Sequence, residues 1–218
     1  MRRVTADGRS HAALAAGLVA GLVSSAAARG ALASSSADEL VRQARAHEAE
    51  HDEDVAVRRY MEALDIEPTN ARAWMGLGAL RMRVGDADEA ERVYSSALER
   101  VPSLDAALEG RARARWALGR HAEAEADLGA YAALENSPAA LRELATWYGA
   151  DGRTPAELAI WRGLLGMAIE QGDAAVEREA RRIVRALVIL VDGADPASSP
   201  VTPDGTRRAM AAIARRGG

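Results

Sequence analysis

The 218-residue sequence contains no cysteine, no phenylalanine and no lysine, and it has only seven prolines. The absence of cysteine excludes disulfides, thiolate metal sites and a thiol nucleophile, and says nothing of the redox compartment. Every basic residue is therefore an arginine, and alanine dominates. Arginine-only, alanine-rich usage points to a GC-rich bacterial source. Scarce proline with abundant Ala, Leu, Arg and Glu, all strong helix formers, predicts an all-helical protein. The formal net charge of −4 leaves no electrostatic footprint for nucleic acid. No strand is predicted, so no glycine-rich loop can follow one to cradle a phosphate, and no nucleophile elbow is present. These absences argue against an enzyme and against a cofactor. The length suits one sizeable domain.

Residues 1–33 differ in composition from the rest. Arg2, Arg3 and Arg9 precede a run, Ala12 to Ala28, made only of Ala, Leu, Val, Gly and Ser. Two small-x-small sites follow, at Ala26–Ala28 and Ala31–Ala33. Basic, then apolar, then small is the order of a secretory signal peptide. An uncleaved inner-membrane anchor and an alanine-rich cytoplasmic leader are the other two readings; the run is short and rich in Ala and Gly for a stable span. Arg2-Arg3 lacks the hydrophobic residues a twin-arginine signal carries after it. Cleavage at residue 33 would leave 24 Arg against 31 acidic residues, a more acidic chain than the whole. Ser36 and Glu39 then read as a capping box that opens the first helix.

The organising pattern is clearest from Ala71 to Leu104. Trp74, Leu77, Gly78 and Leu80 form one apolar stripe at helical spacing, Gly85-Asp86 breaks the chain, and Ala90, Val93, Tyr94, Ala97 and Leu98 form a second stripe closed by Pro102. This window resembles the tetratricopeptide repeat. The matching places are Trp74, Leu77-Gly78, Gly85, Ala90, Tyr94, Ala97 and Pro102; Arg81 stands where that family usually has Tyr. An earlier copy carries Leu40, Ala44, Ala56, Tyr60, Ala63 and Pro68 in register. A later one carries Leu108, Ala112, Gly119, Ala124, Leu128 and Tyr131, with Asn136 in place of the closing proline. A weaker fourth copy has Leu141, Leu144-Ala145, Tyr148, Gly152, Trp161 and Leu164, with a one-residue slip expected after Thr154. Asp86 with Glu89, and Thr154-Pro155 with Glu157, look like caps of second helices.

The resemblance implies an all-α helical-repeat solenoid over residues 37–171, built of about four antiparallel helix pairs. Small residues let paired helices approach, large ones fill the gap, and no pair can bury its apolar face alone. After Gly172 the repeat dissolves. Asp173 caps a long helix in 172–191 whose apolar side holds Val176, Ala180, Ile183, Val184, Leu187 and Leu190, suited to covering the last apolar face. Residues 192–206 read as a linker, and 207–218 as a short basic helix or tail.

One string competes for a catalytic reading. His47-Glu48-Ala49-Glu50-His51 satisfies His-Glu-x-x-His, which in zinc peptidases places two ligands one helical turn apart with a glutamate to activate water. In repeat register, however, His51 falls where other copies place their turn glycine. The segment is polar throughout, and nothing downstream offers a third ligand. A solvated helix end running into Asp52-Glu53-Asp54 is the better reading, with no metal and no catalytic residue. Trp116, Trp147 and Trp161 could line a ligand box; at helical spacing, core packing is the expectation.

Proteins of the resembled family commonly bind peptide segments on a concave surface lined by the first helix of each pair. The corresponding positions here are Val41 and Arg45; Arg72, Met75, Ala79, Met82 and Arg83; Glu109, Arg113 and Trp116; and Arg142 and Thr146. On an acidic protein this strip is rich in arginine. Guanidinium groups can grip carboxylates bidentately, and Met and Trp offer adaptable apolar surface. Two uses of these arginines stay open: holding acidic residues of a bound segment, or pairing with glutamates of the same solenoid. The groove asparagines of the family's carboxylate-clamp members are missing, which disfavours chaperone tails. The expected function is a non-enzymatic scaffold, exported to the bacterial envelope, that holds partner proteins. An inner-membrane-anchored scaffold is the alternative, and a zinc hydrolase a remote one.

Overall fold

The computed structural model describes Leu32 and residues 34–192. The predicted leader, nearly all of the linker and the basic C-terminal segment lie outside these residues. Among the described residues there are nine helices and no strand. Helix α1 covers residues 34–49, followed by α2 (Glu53–Ile66), α3 (Ala71–Arg83), α4 (Ala87–Arg100), α5 (Ala106–Ala117), α6 (His121–Leu134), α7 (Pro138–Ala150), α8 (Thr154–Gln171) and α9 (Ala174–Asp192). Successive helices from α4 to α9 pack against one another, α5 with α6 and α7 with α8 as pairs and α9 against α8.

The turn inside each pair has one physical signature. His51, Gly85, Gly119 and Gly152 all have positive φ, at 63°, 83°, 75° and 68°. A left-handed residue ends a helix by letting the following N–H groups satisfy its last carbonyls, and glycine adopts that conformation without a Cβ penalty. The Asp86 N–H accordingly donates to Arg81 O at 2.9 Å, Arg120 N–H to Arg115 O at 2.9 Å, and Arg153 N–H to Tyr148 O at 2.8 Å. The first three turn residues are spaced by 34 positions, whereas Gly152 follows Gly119 by 33. The register slip expected after Thr154 therefore lies earlier. The chain between α6 and α7 is only three residues, Glu135 to Ser137, with Asn136 at φ 49°.

Two of the expected caps differ. Ser36 lies inside α1, and its hydroxyl donates to Leu32 O at 2.9 Å, so the Ser36–Glu39 capping box does not form. The helix simply continues through Ser36, in the back-bonded geometry open to a mid-helix serine. Thr154 is the first residue of α8 and does not cap it; the start is set by Pro155, whose fixed φ suits a first turn. The cap at Asp86 forms as expected, accepting from the Glu89 N–H at 3.3 Å. Asp173 accepts from the N–H groups of Ala175 and Val176 at 3.0 and 3.1 Å and so opens α9. Asn70 and Ser137, neither singled out in the sequence, cap α3 and α7 through the N–H groups of Ala73 and Ala140.

Two compact units divide within α3, the first ending at Gly76 and the second beginning at Leu77. In the first, Val41, Ala44, Ala56, Tyr60 and Ala63 are buried. The Tyr60 ring lies so close to Gly76 that a Cβ there would sit 2.4 Å from the ring. The second unit repeats the device. Tyr94 is held between Gly78 and Gly110, where added Cβ atoms would fall 2.5 and 2.4 Å from its ring. Glycine is needed here for close approach of helix and ring. One copy later the fully buried Leu128 stands in the tyrosine's place. The main core of this unit then runs through α5 to α9, from Leu128 and Leu141 to Leu164, Ala180 and Val188. No helix among the described residues is long and apolar enough to cross a membrane.

Candidate functional site

Three arginines of the first helices are held in ion pairs. In the first unit, Arg72 on α3 reaches Asp38 on α1, with Nη1 at 3.3 and 3.2 Å from the two carboxylate oxygens. In the second, Arg113 on α5 holds Glu143 on α7 through Nε and Nη2, at 2.9 and 2.7 Å, and Glu109 on its own helix at 2.7 Å. Arg142 on α7 holds Glu179 on α9 at 3.1 and 2.7 Å. Each guanidinium thus bridges to the helix two places before or after its own. The hydrogen bonds to Glu143, outweighing the desolvation, push the Arg113 pKa further up. Three of the arginines expected to face a ligand, Arg72, Arg113 and Arg142, already carry carboxylates.

The remaining positions vary. Val41 is buried and belongs to the core, which removes it from the strip. Arg45 is exposed, with its guanidinium near the Tyr60 hydroxyl. Met75 and Met82 are half-buried and Arg83 is exposed. Thr146 turns its hydroxyl back onto Arg142 O at 2.9 Å. Trp116 is clamped face to face between His121, with ring centroids 4.0 Å apart, and Trp147, at 4.4 Å. Two such stacks fix its ring, so it serves packing between α5, α6 and α7. Trp147 and Trp161 are buried in the same core.

The His-Glu-x-x-His string does not form a two-ligand helical face. Helix α1 stops at residue 49, and His51 occupies the left-handed turn position, so the two histidines do not stand one turn apart on one helix. Glu48 accepts a hydrogen bond from the Tyr60 hydroxyl. Burial, with the neighbouring Glu48 carboxylate, raises the Tyr60 pKa well above the usual phenol range. His47 Nδ1 lies 3.6 Å from Glu50 and 3.7 Å from Asp52, both largely exposed carboxylates at the end of a solvated helix.

The feature that escaped the sequence reading is an ion network joining α4, α5 and α6. Arg111 makes a fork on Asp127, with Nε and Nη2 both at 2.7 Å, and Arg115 Nη1 reaches the same carboxylate at 2.8 Å. Arg115 Nε continues to Glu91 at 3.0 Å, which Arg120 also holds at 2.6 Å. Asp127 is buried. The hydrogen bonds to Asp127 raise the Arg111 pKa despite the cost of burial. A signal was available: in repeat register Arg111 and Asp127 take the places of Leu77 and Val93, which are buried apolar residues of the previous copy.

Residues 47–108 match the family model described as tetratricopeptide repeat. The turn residues at 34-residue spacing and the tyrosine–glycine contacts agree with that match. Residues 47–108 carry tetratricopeptide repeats. No curated protein matches it. Among solved structures, it is similar to the first TPR of Spaghetti (RPAP3) bound to the HSP90 peptide SRMEEVD, at 25% identity and TM-score 0.51, over 55% of this chain and 95% of that one. It shares its fold with MamA, at 14% identity and TM-score 0.55, over 84% of this chain and 90% of that one. The same holds for the TPR-like repeats of a Podosopora anserina protein, at 15% identity and TM-score 0.55, over 81% and 93% of the two chains. The fold class is an all-α helical-repeat solenoid. Repeats of this family serve protein–protein interaction, and the similar RPAP3 structure holds a peptide.

Proposed function

We propose that this tetratricopeptide-repeat protein is a non-enzymatic scaffold that binds peptide segments of partner proteins along the first helices of its pairs, with a preference for segments carrying acidic residues. The observation that supports the acidic preference most is Arg72. Its side chain is 68% exposed and its one partner, Asp38, is itself 41% exposed. Such a surface pair contributes about 0–1 kcal/mol, so an incoming carboxylate can take over the guanidinium at little cost. In the first unit Arg45 and Met75 accompany it, and in the second Met82, Arg83, Arg113 and Arg142 offer the same side-chain chemistry. Because the helices are already ordered, the bound segment bears most of the entropic cost. Trp116 contributes by holding α5 to α7 and makes no direct contact. The basic-apolar-small order of residues 1–33 supports export to the bacterial envelope, where such a scaffold would hold envelope proteins; an inner-membrane anchor is the second use of that segment.

A random peptide library panned on the full chain tests the preference. Selected peptides are expected to be enriched in Asp and Glu, and Arg72→Glu with Arg113→Glu is expected to abolish their binding without loss of helicity. Peptides of neutral composition whose binding survives that double change would place recognition on another surface.

A further inference from the structure

The outward face of α9 carries a line of basic side chains. Arg178, Arg182 and Arg185, followed by Ile189, recur at spacings of four, three and four residues, which sets them on one line of the helix. All four are exposed, and the three arginines have no ion pair among the described residues. Several other arginines are engaged: Arg72, Arg113, Arg115, Arg142 and Arg153 each hold a carboxylate. Arg181, beside this line, is paired within the helix to Glu177 at 2.7 Å. The opposite face of α9, with Ala180, Val184, Leu187 and Val188, is buried in the core, so the helix cannot turn its arginines away.

Beyond the last of these arginines the helix ends in exposed apolar residues. Ile189 is 55% and Leu190 73% exposed, and Val191 is exposed beside them. At about 100° per residue these three consecutive side chains splay around the axis, so they form a tip with no groove between them. The stripe from Arg178 to Ile189 is roughly 16 Å long.

We propose that this face docks on an anionic lipid surface, the arginines lying over the headgroups and the Ile189–Val191 tip entering the apolar boundary. A basic stripe with an apolar end is the combination that holds a helix in the plane of an interface. Other occupants fit less well. A second copy related by two-fold symmetry would set arginine against arginine. The C-terminal segment of this chain carries Arg207, Arg208, Arg215 and Arg216, so it is repelled by the stripe and adds charge of the same sign. A nucleic acid backbone would use the arginines and leave the apolar tip in water. An acidic protein would need a cavity for the splayed tip.

The chain has no cysteine, so Leu190→Cys gives full-length protein with a single thiol, which a polarity-sensitive fluorophore can label. This local signal distinguishes docking of α9 from attachment through residues 1–33. Vesicles of phosphatidylglycerol and phosphatidylcholine should shift the emission to the blue, raised salt should weaken the effect, and pure phosphatidylcholine should give none. Each arginine near such a surface is worth about fivefold in partitioning, so Arg178→Gln with Arg182→Gln and Arg185→Gln should weaken the response on the order of a hundredfold. The corresponding triple change to Lys should retain it. Unchanged emission with phosphatidylglycerol vesicles, even where the protein sediments with them, overturns the proposal. So does an equal response to pure phosphatidylcholine, loss in the Lys variant, or a response to polyglutamate or duplex DNA without one to vesicles.

Discussion

Tyr94 shows at the scale of one residue how the repeat is held together. Its ring occupies the space that two missing side chains leave, at Gly78 on α3 and Gly110 on α5. The ring cannot retreat, because it is buried between three helices. Gly110→Ala should therefore cost about 1–3 kcal/mol through overpacking, even though alanine favours helix by itself. Thermal unfolding of the variant measures this; a raised melting temperature would mean the ring has room to move. Gly78 and Tyr94 were legible in the sequence because they sit at places the family pattern names. Gly110 was not singled out, since its partner lies on the preceding pair and only stacking brings them together. The fate of Trp116 was illegible for the same reason. Spacing put it on the strip, while its stacking on His121 and Trp147 depends on where three helices meet.

Individual helices show where the repeat departs from itself. Where the preceding copy buries Leu77 and Val93, the α5/α6 pair has Arg111–Asp127, and the following copy buries Leu144 and Ile160. A buried ion pair is costly to assemble, and its attraction repays desolvation only when hydrogen bonds are complete, as they are on Asp127. Asp127→Val alone leaves Arg111, only 19% exposed, without its partner. That should destabilise by about 3 kcal/mol. Arg111→Leu with Asp127→Val restores the neighbouring copies' pattern and should be at least as stable as the parent, because Arg115 keeps Glu91 and Glu123. Denaturant unfolding of the three proteins decides it. A double variant as weak as the single one would show that the network itself carries stability. The helix boundaries were largely readable from apolar spacing, turn glycines and Asp caps. Ser36 misled because a serine three residues before a glutamate serves equally well inside a helix, and what precedes it decides which.

For the whole molecule, the sequence pattern specified an all-α helical repeat. It could not say whether the arginines of the first helices stand free. Pairing of Arg113 with Glu143 and of Arg142 with Glu179 joins residues 30 and 37 positions apart, a relation set by the stacking of successive pairs. Cross-helix ion pairs of this kind orient the guanidinium groups while leaving the most exposed of them, Arg72, exchangeable. The account thus separates two surfaces: the first helices for peptide segments, and the outward face of α9 for lipid. The most direct test of the first is amide hydrogen exchange on the full chain, with and without a saturating acidic peptide selected from the library. Binding along the first helices predicts added protection in α3, α5 and α7 together. Protection confined to the second helices α2, α4, α6 and α8 would contradict it.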